Sequence, residues 1–213
     1  MTEEELRKIR SEGLISNQEI PVNIYLPCVE NSTTTTIRSV KDIAYRTLCL
    51  LVVALKAEGL EKNIVDNIII DYQLNEYFTP DENEFIQNIN PTQKDIIQNT
   101  WRYESALVLL WSLGYIDKLS LPNDTCDASD VINIMKETNI NEFITEAKIR
   151  STDEILDEVD LIYRYHWAVV EARLKGYDLK DKLNSSVVYE RHYALNWLIH
   201  YGDQEWDDIT TDT

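Results

Sequence analysis

Glycine and proline are scarce in this chain, five of each among 213 residues. A sandwich or barrel needs turn formers about every 8–12 residues, so the scarcity points to helices. Cysteine is scarcer still. Cys28, Cys49 and Cys126 are far apart, odd in number and never in a CxxC pair, which excludes a disulfide framework. Cys49 falls within an apolar helical run, where a buried thiol is expected. Basic residues are outnumbered, 20 Lys and Arg against 38 Asp and Glu, giving a formal net charge of -18. Such a charge repels a nucleic-acid backbone and an anionic membrane surface, so neither is an expected partner. It serves solubility first and is compatible with a basic protein partner.

Long apolar runs are also missing. The longest, LCLLVVAL at 48–55, falls far short of the roughly 20 residues that span a bilayer. The N-terminal MTEEELRKIRSEG is charged and lacks the apolar core of a signal peptide, so a cytoplasmic location is expected. No HExxH, ExxH, GxSxG, Walker loop or glycine-rich dinucleotide turn occurs. No metal or cofactor is therefore expected.

What is present suits one mainly α domain spanning 1–213, with about eight or nine helices and a short extended N-terminal segment. Residues 1–36 are expected to lay a helix and an extended loop on a helical core at 37–213. Hydrophobic residues make up 44%, enough for a sizeable core. Thr2 can open a first helix, which Gly13 should stop. Residues 19–29, broken by Pro21 and Pro27, read as an extended segment or short edge strand. A long helix is expected at about 39–58, capped by Ser39 and closed by Gly59, and a weaker one at 61–77. Thr79-Pro80-Asp81-Glu82 opens a short helix, and Asn90-Pro91-Thr92-Gln93 another that runs to Leu113, with Gln93 placed for a capping box. Short helices follow near 129–137 and 140–148. Ser151 with Glu154 starts a long helix ended by Gly176, and a last helix covers about 187–201. IRSVKDI at 37–43 and IRSTDEI at 149–155 share a helix-start signature.

The last third, 149–213, carries all three histidines (His166, His192, His200) and three of the five tryptophans (Trp167, Trp197, Trp206). Several charged residues share helical stripes with core residues. Glu104 lies with Trp101, Val108 and Trp111. Asp160, Arg164, Trp167 and Glu171 form one stripe, and Arg191 aligns with Val188, Leu195 and Leu198. Buried charges must be paired. Glu104, Asp160, Glu190, Asp207 and Asp208 could join Arg46, Arg164 and Arg191 in one ion-pair network that fixes helix packing. That reading outweighs a catalytic one, because structural networks arrange such residues as readily as active sites do. For an enzyme, the candidates are His166, Glu190, His192, Asp207 and Asp208, with Arg164 or Arg191 as anion clamp. For a binding site they are Arg164, Arg191, Glu104, Asp160, Trp167 and Trp206.

WRYESALVLLWSLGYI at 101–116, the DLIYRYHWA, YERHxALNW and WDDxTTDT motifs of the last third, and IRSVKDIAYR at 37–46 carry a resemblance. On these the chain resembles the bacterial family called domain of unknown function 4272, over about residues 13–213. The resemblance implies no activity, substrate or cofactor. It does imply that the acidic tail belongs to the domain, and that Arg38, Arg46, Trp101, Glu104, Trp111, Arg150, Asp160, Arg164, His166, Trp167, Glu190, Arg191, His192, Asn196, Trp197, Trp206, Asp207, Asp208 and Asp212 follow the family pattern. The expected function is a non-enzymatic interaction protein that neutralises or scaffolds a basic protein, as an immunity protein would. The alternative is a hydrolase or nucleotide-handling enzyme.

Overall fold

The computed structural model describes residues 1–136, 138–179 and 181–213. They form α1 (Glu3–Asn17), α2 (Val40–Ala57), α3 (Lys62–Asp71), α4 (Pro80–Gln87), α5 (Gln93–Thr100), α6 (Arg102–Ser112), α7 (Ala128–Lys136), α8 (Ile140–Thr145), α9 (Thr152–Lys175) and α10 (Ser185–Leu198). Two 3-10 turns follow, at Tyr201–Asp203 and Trp206–Asp208. No strand occurs among the described residues, and the fold is all-α. The helix expected from Thr92 to Leu113 is split into α5 and α6, which meet at Trp101.

Local chemistry sets most helix starts. Thr2, Thr79, Thr92 and Ser151 each accept a backbone N–H, and the acid three residues on returns the bond. At Thr92 the reciprocating residue is Asp95, not Gln93. Three ends differ from expectation. Gly13 does not stop α1, which runs on to Asn17 because Ile15 is drawn fully into the core. That burial outweighs a glycine penalty of about 1 kcal/mol. The helix expected at 61–77 ends at Asp71, where Gln73 turns to a φ of 56° and Leu74 is buried beyond it. The last helix covers 185–198 rather than 187–201. Asn184 caps the N–H groups of Ser186 and Val187, and His200 leaves the helix with a φ of 56°.

The segment 19–29 forms no strand, because an all-helical fold offers it no edge to pair with. It lies instead against α1, where Lys8 donates to the carbonyls of Ile24 and Leu26 while Ile20 and Leu26 are buried.

The core is organised around α2. Every residue from Leu48 to Ala54 is at 0% exposure, the mark of a helix surrounded by others. α2 packs on α3, α5 and α6, while α10 packs on α6 and α9, and α1 lies along α9. Arg7 ties α1 to α9 through Asp153 and Asp157, at 3.0 and 2.9 Å. The tail returns to this core. Trp206 is 2% exposed and stands edge-on to Tyr193 and Trp197, with ring centroids 5.0 and 5.5 Å away. The Nδ2 of Asn196 donates to the carbonyl of Thr210. No helix among the described residues is long and apolar enough to cross a membrane.

Candidate functional site

The buried charges resolve into separate pairs and not the single network expected. Arg191 Nε donates to Glu104 Oε2 at 3.0 Å, and both residues are 2% exposed. Glu104 Oε1 also accepts the N–H of Cys126, and Arg191 Nη1 donates to the carbonyl of Ser120. Nearby, burial pushes the Glu158 carboxyl above the usual range, against the pull of Arg191. Asp160 takes Arg164 in a fork, Oδ2 to Nε at 2.9 Å and Oδ1 to Nη2 at 2.7 Å. Arg164 Nη2 also reaches the carbonyl of Pro27. Arg46 turns away from both pairs to Glu82, at 2.7 Å. Glu82 therefore serves twice, in the cap of α4 and in a buried ion pair.

These pairs are separate because α2, α6, α9 and α10 present their buried charges at different interfaces. Their donors and acceptors are largely spent within the fold. Arg164 and Arg191 line none of the cavities described below, so neither is placed as an anion clamp. Asp208 is exposed, and Asp207 is exposed with its Oδ2 accepting the N–H of Asp81. Trp167 is half-buried against the core and faces none of these cavities.

The open surface lies beside the locks. A cavity of about 930 Å³ sits between α9 and the start of α10, with His166 and Glu190 in its walls. A groove of about 640 Å³ runs on from it along α4, α5 and α6. Trp101, Tyr189 and Glu190 line both and form the ridge between them. Glu190 is held there by Arg102 at 3.1 Å and by the Ser105 hydroxyl at 2.8 Å. The groove also shows Asp81, Glu84, Asp95 and Asp207, with Tyr193 and Trp206 behind them. Arg102 is the one cation among its described lining residues, and it rests over the Tyr193 ring.

His166 and His192 meet where α9 and α10 pack together. Their Nδ1 atoms are 2.7 Å apart and their rings stand at 90°. Burial pushes His166 down to about 4, helped by the charge of Arg173, and pushes His192 down to about 3, helped by its partner ring. Both are therefore neutral near neutral pH. A neutral pair joined this way carries one hydrogen between the Nδ1 atoms and one on an Nε2, so one Nε2 is a donor while the other is an acceptor. No hydrogen bond engages either Nε2 among the described residues. His166 lines the 930 Å³ cavity, and His192 lines a separate one of about 340 Å³ beside Tyr163 and Asn196. The tail residues Asp212 and Thr213 border both. No group of three or more potential metal ligands occurs among the described residues.

Of the residues singled out in the sequence, His166 meets His192 and shares a cavity with Glu190, Asp207 and Trp206 line the groove, and Glu104, Asp160, Arg164 and Arg191 are held in buried ion pairs. Sequence reasoning missed Arg102, Arg173 and Tyr189. Arg102 lies 88 residues from Glu190, and no local spacing reveals such a pair.

Comparison with curated proteins and with solved structures gives no match. Comparison with protein families does. The chain belongs to the family described as Domain of unknown function (DUF4272), whose model matches residues 7–209.

Proposed function

We propose that this is an acidic interaction protein of the cytoplasm that holds a basic segment of a protein partner in the groove beside Arg102, in a scaffold or immunity-like role. One observation carries the reading: Asp81, Glu84, Asp95 and Asp207 surround a floor that includes Tyr193 and Trp206, and the one cation of the groove is already neutralised by Glu190. Carboxylates on an open groove attract ammonium and guanidinium groups, and the net charge of -18 steers such a partner inward.

The test is fluorescence anisotropy of a labelled Lys- and Arg-rich peptide. Three proteins are compared: the wild type, an Asp81→Asn/Asp207→Asn double variant, and an Asp127→Asn/Asp130→Asn control outside the groove. Binding should weaken with salt and fall about tenfold in the groove variant, the worth of about 1.4 kcal/mol, while the control is unchanged. Equal loss in both variants, or no binding at low salt, overturns the reading.

A second reading, hydrolytic or nucleotide-handling chemistry, has one observation in its favour: neutral His166 lines the same cavity as Glu190. A substrate-panel assay in which His166→Ala abolishes a turnover shown by the wild type would support it. A wild type inactive across the panel counts against it.

A further inference from the structure

The 930 Å³ cavity has a feature the groove lacks. His166 is only 8% exposed, its Nδ1 is bound to His192, and its Nε2 has no hydrogen-bond partner among the described residues. Of the cavities described, His166 lines only this one. The walls add Trp101, Tyr177 and Tyr189, whose rings attract a cation. The charged residues described in its walls are Arg173, Asp178, Asp212 and Glu190, the last already paired with Arg102. Because Trp101, Tyr189 and Glu190 also wall the groove, a chain lying in the groove can drop one side chain over the ridge.

We infer that this cavity takes a single arginine or lysine side chain of the basic segment, whose N–H donates to Nε2 of His166. The inference rests on the groove reading and deepens it by naming the anchoring residue. It has a built-in consequence. If Nε2 of His166 accepts from the ligand, the hydrogen of that ring sits on Nδ1 and is donated to Nδ1 of His192. His192 must then carry its own hydrogen on Nε2, facing the smaller cavity beside Tyr163 and Asn196. Filling one cavity thus sets which hydrogen is shown in the other. The charged groups that bias this exchange are Arg173 on α9, Glu190 on α10 with Arg102 behind it, Asp178 in the connection between those helices, and Asp212 on the tail.

The experiment follows the imidazole nitrogens of the full chain by long-range ¹H–¹⁵N correlation. Arginine amide is titrated first, then the Lys- and Arg-rich peptide. The expected result is a shift of His166 toward the Nδ1–H form and of His192 toward the Nε2–H form, with His200 unmoved. The exposed-rim variant Asp212→Asn should weaken the arginine amide response without disturbing the fold, and His166→Phe should abolish it. Peptide that binds while both rings keep their tautomers overturns the inference and leaves the groove reading standing. Rings that respond to arginine amide while the peptide fails to bind leave the cavity site standing and overturn the groove reading. No response to either ligand overturns both.

Discussion

Glu104 and Arg191, 87 positions apart in the sequence, meet at 3.0 Å, each 2% exposed. α6 supplies the acid and α10 the base, so this contact sets how the two helices pack. Removing one partner leaves a buried charge uncompensated, a loss of about 3–5 kcal/mol. Replacing both with apolar residues of similar volume removes the stranded charge. Arg191→Met should therefore lower stability by about that amount, and Glu104→Leu/Arg191→Met should recover most of it. Urea denaturation of the two single variants and the double variant checks this. A double variant no more stable than the singles would mean that the pair acts through something other than its charge.

The His166–His192 pair makes stability depend on pH. Both rings are held below their ordinary value of 6.5, to about 4 and about 3. The unfolded chain therefore binds these protons first as pH falls. The stability contributed by the neutral pair is intact above pH 6.5 and is lost progressively toward those lower values. At pH 5, His192 alone should cost about 2 kcal/mol. Chemical denaturation at pH 7 and pH 5 measures it, above the range where most carboxylates titrate. A flat profile between those points would show that the rings are not held neutral.

Gly114 ends the helical run of α6 at a φ of 81° and lies under the chain that leads into α9. A Cβ built there would stand 2.7 Å from the carbonyl oxygen of Lys148. Lys148 N–H is bonded to the carbonyl of Leu113, and Arg150 N–H to that of Ser112, so the neighbour has little room to move. Gly114→Ala should cost about 1–3 kcal/mol, combining left-handed strain with the close contact. The midpoint of denaturation reads it directly. Gly176→Ala provides the contrast, since it shares a positive φ of 74° but meets nothing within 4 Å. Equal losses at both positions would locate the cost in φ alone.

Trp206 fastens the acidic tail. Its ring fills the space between Tyr193, Trp197 and the guanidinium of Arg46, and its carbonyl accepts from the Tyr193 hydroxyl. Trp206→Ala should destabilise the protein by about 3–5 kcal/mol. It should also open residues beyond 203 to hydrogen exchange. Protection unchanged in the tail would mean that the Asn196–Thr210 bond holds the tail without the ring.

The helices and their starts were legible because their signals are local. Capping boxes at Thr79 and Ser151 act over three residues, and the apolar stripe of α9 repeats every three or four. Asp160 with Arg164 was legible for the same reason, as one helical turn separates them. The sequence also marked Glu104 and Arg191 as charges on apolar faces and grouped Glu190 with them, which told that they must be paired. It did not tell with what. Arg46 finds Glu82, an acid that reads in sequence as nothing more than a cap, and Glu190 finds Arg102. Between the two readings of 19–29, an extended segment or a short edge strand, the choice was non-local, since a strand needs a neighbouring edge and no strand occurs among the described residues.

By itself the sequence determined an acidic, all-α chain whose three histidines all fall in its last third. These follow from composition, helical period and short-range capping, which every conformation of the chain carries. Only the tertiary structure decided that the charges close as separate pairs, that His166 and His192 touch through Nδ1, and that an acidic groove and a second cavity share one ridge. Those facts depend on how α6, α9 and α10 cross. Crossing geometry is set by the packing of many side chains at once and has no signature in any single stretch of sequence.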